Sequence, residues 1–292
     1  MLHGIDNGIL HVTVSETGAE LQSIRTADGT EYLWQGDPAY WGDRALNLFP
    51  YVARLWQGCY EMDGQRYEMP IHGLAPYSRF TLAGRTESSL TLELRSSGET
   101  YAQYPRQFVF RVVYSLHGNC LKTVYQAENL DTRTMYFGLG GHPGFNVPLE
   151  AGRSFEAYRL RFGTDCGAVR VGFSEDCYVN GEDADFPLEG GCILPLRHDL
   201  FDNDAIVLRD MARSVTLEAP GSARAVTVTY PDMPYLGIWN MPHTDAPYVC
   251  IEPWLSLPSR RGEVTVFEKK EDLIRLAPGA VYENAWTIEI HG

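Results

Sequence analysis

The run FVFRVVYSLHGNCLKTVYQAEN, from Phe108 to Asn129, decides the architecture. Two stretches rich in Val, Leu, Phe, Tyr and Thr alternate with a period of two on either side of a short break, the pattern of half-buried strands. Residues 108–116 and 121–129 are therefore read as strands. The His117-Gly118-Asn119-Cys120 connection, whose Gly and Asn reach positive φ at low cost, folds them into a hairpin. Working outward, similar segments occur at 9–14, 19–26, 89–95, 214–219, 225–230, 235–240, 248–252 and 282–290, and none shows sustained helical spacing. The 28 glycines and 17 prolines punctuate the chain at short intervals, as many short strands closed by turns require. The expectation is an all-β chain of two packed antiparallel sheets, forming a single domain over residues 1–292, with irregular loops at 152–191.

Composition narrows the function. The chain is 44% hydrophobic and 21% charged, enough apolar surface for a large core. A net charge of −14 repels phosphate backbones and anionic lipid, so nucleic acid and membrane are poor partners, while a neutral sugar is unaffected. The opening MLHGIDNGIL has neither a basic region nor an apolar signal core, and a cytoplasmic protein is expected. Cys59, Cys120, Cys166, Cys177, Cys192 and Cys250 are dispersed without a CxxC pair, which favours free thiols. A zinc site from Cys166, Cys177 and Cys192 has spacings too wide for the usual paired ligands.

Two residues are candidates for proton transfer. His142 lies in GLGGHPGFN, 138–146, where glycines leave an imidazole approachable, and an ordinary histidine titrates near neutrality. Glu252 ends the apolar run YVCIE before Pro253-Trp254, where neighbouring aromatics would desolvate it and strengthen it as a base. Each has a plainer reading, a structural turn histidine and an edge glutamate facing water. His72 beside Gly73, and Arg54 within the apolar run 49–55, are further candidates, a loop histidine and a salt bridge being the alternatives. Asp202 and Asp204 in FDNDA could hold hydroxyls or simply cap a loop. Of the tryptophans, one or two could form a platform for a sugar face. There is no GxSxG, HExxH or phosphate-binding loop.

Taken in order, NLFP (47–50) with Arg54, IHG (71–73), GHPGF (141–145), FDND (201–204) and IEPW (251–254) resemble the aldose 1-epimerase, or galactose mutarotase-like, family, and most closely its LacX-like branch. The resemblance implies a large antiparallel β-sandwich of the galactose mutarotase type with an open sugar cleft. It implies His142 as acid and Glu252 as base, substrate contacts from His72 and Arg54, and a binding aspartate at Asp204 or Asp202. No metal or other cofactor is implied, and the partner is a small sugar. The expected activity is interconversion of the α and β anomers of a free aldohexose. A hexose-6-phosphate mutarotase, a non-catalytic carbohydrate-binding protein, and a lyase or glycosidase on the same sandwich are the alternatives. One departure stands out: where many relatives carry an arginine after HG, this chain has Pro76, with Arg79 as a substitute cation.

Overall fold

The computed structural model describes residues 1–292, nearly all of the regular structure being strand. The hairpin read from sequence lies within a nine-stranded antiparallel sheet, with Phe108–His117 paired to Cys120–Asn129, and the latter paired on its other side to the long C-terminal strand Val281–His291, the middle strand of the nine. Gly118 takes φ 61° while Asn119 keeps negative φ, so glycine alone meets the turn's conformational demand. On Cys120–Asn129 the even partition of burial follows the pleat: Leu121, Thr123, Tyr125 and Ala127 face inward and their neighbours are partly exposed.

A second, seven-stranded sheet packs against this one. From its third strand to its edge it runs Ile206–Arg209, Tyr235–Trp239, Tyr248–Trp254, Gly140–Asn146 and Ala45–Leu48, in that spatial order. Between the sheets lies a continuous core of 66 buried residues drawn from Ile5 through Ile290. A separate three-stranded sheet, Leu2–Asp6, Leu10–Ser15 and Leu21–Thr26, adds Ile5, Leu10, Val12, Val14, Leu21 and Ile24 to the same core. No helix is long and apolar enough to cross a membrane.

The strand readings hold to within a few residues at their ends. Missing from the sequence reading were Ala45–Leu48, Gly140–Asn146 and Ile206–Arg209 in the second sheet. Region 152–191, expected to be irregular, is mostly so, but contributes Arg159–Phe162 to the first sheet and the short pair Val169–Arg170 and Ala184–Asp185 to the second.

One buried polar knot ties the layers. Asn47, 2% exposed, donates through Nδ2 to the carbonyls of Gly18 and Ala19 at 3.0 and 2.9 Å. Its Oδ1 accepts from the Tyr125 hydroxyl at 2.8 Å, while the Tyr114 hydroxyl donates to the Ala19 carbonyl at 2.8 Å. Asn47 belongs to the second sheet and both tyrosines to the first, so a single side chain satisfies groups from both layers and from the turn after Leu10–Ser15. Removing it strands several buried partners, a cost well above that of one surface bond. Asn47→Ala is expected to lower stability by about 2–4 kcal/mol, read as a shift in the urea midpoint at unchanged m-value. A loss below about 0.5 kcal/mol would show that the knot is dispensable.

Candidate active site

The strand Tyr248–Trp254 is buried along its whole length because both its faces are covered. Val249 and Ile251 point into the main core; Tyr248, Cys250, Glu252 and Trp254 share the opposite face. Glu252 therefore lies 1% exposed on the floor of a cleft, which excludes the water-facing edge glutamate. Its neighbour Gly140–Asn146 runs antiparallel in a register that pairs Gly140 with Trp254 and Gly144 with Cys250, placing His142 directly across from Glu252. The ladder has no paired residues between those two points. Pro143 and Pro253, which lack an N–H, fall in that gap.

The glycines around His142 act by their small size, not by flexibility. A Cβ on Gly140 would come within 2.8 Å of the Trp254 indole, on Gly144 within 3.0 Å of Trp41, and on Gly141, facing the core, within 2.6 Å of Trp286. All three are extended strand residues whose missing side chains admit indole rings. This excludes the plainer reading of His142 as a turn histidine, since it lies within the strand Gly140–Asn146.

Within this packing His142 Nε2 approaches Glu252 Oε2 to 3.2 Å. The two are close but not aligned, since Glu252 Oε2, His142 Nδ1 and the Trp254 indole N–H all lie buried without a hydrogen-bond partner. Burial pushes the Glu252 carboxyl well above its usual range, and the Asp204 charge adds to this; the Trp254 indole opposes it. Burial likewise drives His142 well below the ordinary value of 6.5, with His72 contributing. Both shifts favour uncharged side chains, so the pair holds one proton with no net charge. The sequence reading treated His142 as an ordinary histidine titrating near neutrality; the apolar surroundings instead disfavour its charged form.

Aromatic rings wall the pair. Trp41 lies over the His142 ring at 4.8 Å between centroids, and Trp239 meets it edge-on at 5.7 Å. His72 stands 5.4 Å away at 85°. The His72 backbone is left-handed at φ 65°, and its Nδ1 accepts the Ala53 N–H at 3.3 Å. That bond fixes the proton of the neutral ring on Nε2, and burial, helped by the Arg54 charge, pushes His72 down to about 3. His72 is thus a hydrogen-bond donor and not a proton source near neutral pH.

The far wall is polar. Asp204, turned by a left-handed φ of 67°, accepts a hydrogen bond from the Cys177 thiol at 2.8 Å and lies 4.0 Å from the Arg54 guanidinium. Burial and then the Asp204 carboxylate push the Cys177 thiol up to about 12, so it remains a donor. The cleft encloses about 450 Å³. Arg54 is the sole arginine or lysine lining it, against Asp43, Asp204 and Glu252.

Of the residues singled out from sequence, His142, Glu252, His72, Arg54 and Asp204 converge on the cleft. Asp202 does not: it pairs with His243 at 3.1 Å and lines a neighbouring groove, because the short turn after His198–Phe201 sends alternate residues apart. Arg79 is also elsewhere, donating to Glu16 at 3.1 and 2.9 Å, and so does not replace a missing cation. Pro76 is buried in the turn Ala75–Tyr77, and it is the next residue, Tyr77, that reaches the cleft. Cys166 and Cys192 pack against the core while Cys177 lines the cleft. Sequence reasoning missed Asp43, Tyr77, Phe173 and Met241 and weighed Cys177 only as a zinc ligand; all five lie outside the main strands, with no periodic signal.

The fold and site together are an all-β sandwich in which an imidazole and a carboxyl face each other under indoles. Comparison with known proteins places it further. The family described as aldose 1-epimerase matches residues 1–289. The chromosomal LacX protein of Lactococcus lactis is 34% identical over 294 residues, covering 98% of each chain. A galactose mutarotase related enzyme of Lactobacillus acidophilus superposes with a TM-score of 0.95 at 33% identity, covering 100% of this chain and 98% of that one. A galactose mutarotase-like protein of Lactobacillus casei gives 0.93 at 33% identity, covering 100% of both. The chain belongs to the aldose 1-epimerase family, a family of isomerases with a general mutarotase or epimerase role.

The electrostatics fix a pH profile. A histidine held neutral takes its extra proton only below 6.5, and a carboxyl with a raised pKa keeps its proton above 4.5, so the singly protonated pair spans a broad interval. We expect kcat/KM for mutarotation to show no break near pH 6.5. A limb centred there would mean that His142 titrates as an exposed histidine does.

Proposed function

We propose that this protein interconverts the α and β anomers of a free aldohexose, with Glu252 and His142 exchanging protons with the sugar. The observation that carries this reading is the 3.2 Å approach of the two groups on the cleft floor, each with a buried atom lacking a partner within the protein. A hemiacetal opens when its anomeric hydroxyl loses a proton and its ring oxygen gains one. The pair's single proton passes from Glu252 to His142 across their 3.2 Å approach; the Glu252 carboxylate accepts the hydroxyl proton, His142 delivers its proton to the ring oxygen, the C1–O5 bond breaks and C1 becomes an aldehyde. Rotation about C1–C2 presents the other face of the carbonyl. The ring hydroxyl then attacks C1, returning its proton to His142 as Glu252 reprotonates the new anomeric oxygen. The departing and arriving protons are matched, and the chemistry needs no metal or other cofactor.

The remaining wall suits hydroxyls. His72 offers Nε2–H, Arg54 offers N–H donors, Asp204 accepts, and the indoles of Trp41, Trp239 and Trp254 supply flat apolar surface for C–H faces of a sugar. A phosphate dianion would meet one cation, already facing Asp204, and three carboxyl groups. This balance favours the unphosphorylated sugar over the hexose 6-phosphate. The protein is proposed to act as one unit over residues 1–292.

Polarimetry on equilibrating galactose and glucose tests the reading. Glu252→Gln is expected to fold normally and to lose about 10²–10⁴-fold in kcat, because an amide keeps the shape but cannot take the proton. A variant keeping more than about a tenth of wild-type kcat removes Glu252 from the base role. On the same instrument, the free aldose is expected to exceed its 6-phosphate by about tenfold or more in kcat/KM; the reverse preference would overturn the choice of substrate class.

A further inference from the structure

Cys250 has no part in the proton exchange, yet its thiol sits beside the two groups that do. It follows the same pleat as Glu252, two residues earlier on the strand, and lies opposite Gly144, where a Cβ would come within 3.4 Å of its sulfur. One nitrogen of His142, the Cys250 sulfur and one oxygen of Glu252 all lie within 4.8 Å of one another. Cys250 is wholly buried, Glu252 is 1% and His142 7% exposed, and both His142 Nδ1 and Glu252 Oε2 lack hydrogen-bond partners. A small contraction would bring three donors of nitrogen, sulfur and oxygen type onto one centre. The cleft side of the pair would leave a fourth position for water.

We propose that His142, Cys250 and Glu252 form an inhibitory binding site for a thiophilic divalent cation of the zinc class. Charge argues for it. A dication held by one thiolate, one carboxylate and a neutral imidazole makes a complex of zero net charge, the form that a buried, indole-walled position tolerates. Binding displaces two protons, one from the thiol and the single proton of the His142–Glu252 pair, so it weakens with acid. A hard cation such as magnesium has no match in this donor set. Because the metal takes the electron pairs that proton transfer requires, its occupancy and anomer exchange exclude each other. The site shares two residues with the proposed reaction but rests on the placement of three side chains, and its direct test needs no catalysis.

The test is a cobalt titration of the EDTA-treated, dialysed chain. One equivalent of Co²⁺ is expected to give a sulfur-to-cobalt charge-transfer band with intense visible absorption, and Zn²⁺ to abolish both. Cys250→Ser and Cys250→Ala, each checked for folding by circular dichroism, are expected to lose the band at one equivalent and to bind zinc about tenfold or more weakly. Both keep mutarotation, and in both zinc inhibition shifts to about tenfold higher concentration. Absence of the band in the wild-type chain, or a band that survives loss of Cys250, overturns the proposal. If the wild-type chain shows no mutarotation at all, the proposed reaction fails while the cobalt spectrum still decides the metal site.

Discussion

The structure is organised by one constraint: His142 and Glu252 face each other across neighbouring strands of a sheet that is covered on both sides. A sheet buried on both faces normally carries apolar residues throughout, and two ionisable groups set into it lose their hydration. They are tolerated because they share one proton. The same burial that removes their charges also keeps water from competing with a ligand for their free atoms. Much else in the cleft follows from that placement. Indoles of Trp41, Trp239 and Trp254 supply the apolar cover, and glycines at 140 and 144 vacate the volume those indoles require.

Such a floor has to be held still, since proton transfer depends on tenths of an ångström. The Asn47 knot joins the strand next to His142 to two tyrosines of the opposite sheet, so the register of the cleft is tied to the most regular part of the molecule. The polar wall is built differently. Asp204 and His72 hold left-handed backbone conformations on turns, braced by Cys177 in one case and by Ala53 in the other. Strands carry His142 and Glu252 while turns carry Asp204 and His72, the groups proposed to meet sugar hydroxyls, a division found where loops vary on a fixed scaffold.

How much of this the sequence discloses depends on which forces leave a periodic trace. The hairpin at 108–129 is legible because alternation and a Gly-Asn turn agree. Strand 140–146 is not, since its glycines and proline mimic a loop; their reason lies in tryptophans more than a hundred residues away in sequence, such as Trp254 and Trp286. Likewise the ordered motifs single out His142 and Glu252, but nothing local reveals that they touch, or that their common burial keeps both uncharged. The choice between Asp202 and Asp204 turned on one left-handed residue. Arg79 looked available because Glu16, its partner, lies 63 positions away.

The His142–Glu252 pair holds one proton in common. Many enzymes leave each cycle in an altered protonation state and must exchange with solvent before the next, a recovery leg that can limit throughput and that shows itself in product inhibition of the non-competitive kind. In the proposed reaction, ring opening and ring closure move the same protons in opposite senses through the same two side chains, so a site that releases the product is already the site that receives the next substrate. A catalyst working in that way carries no memory of the direction in which it last ran.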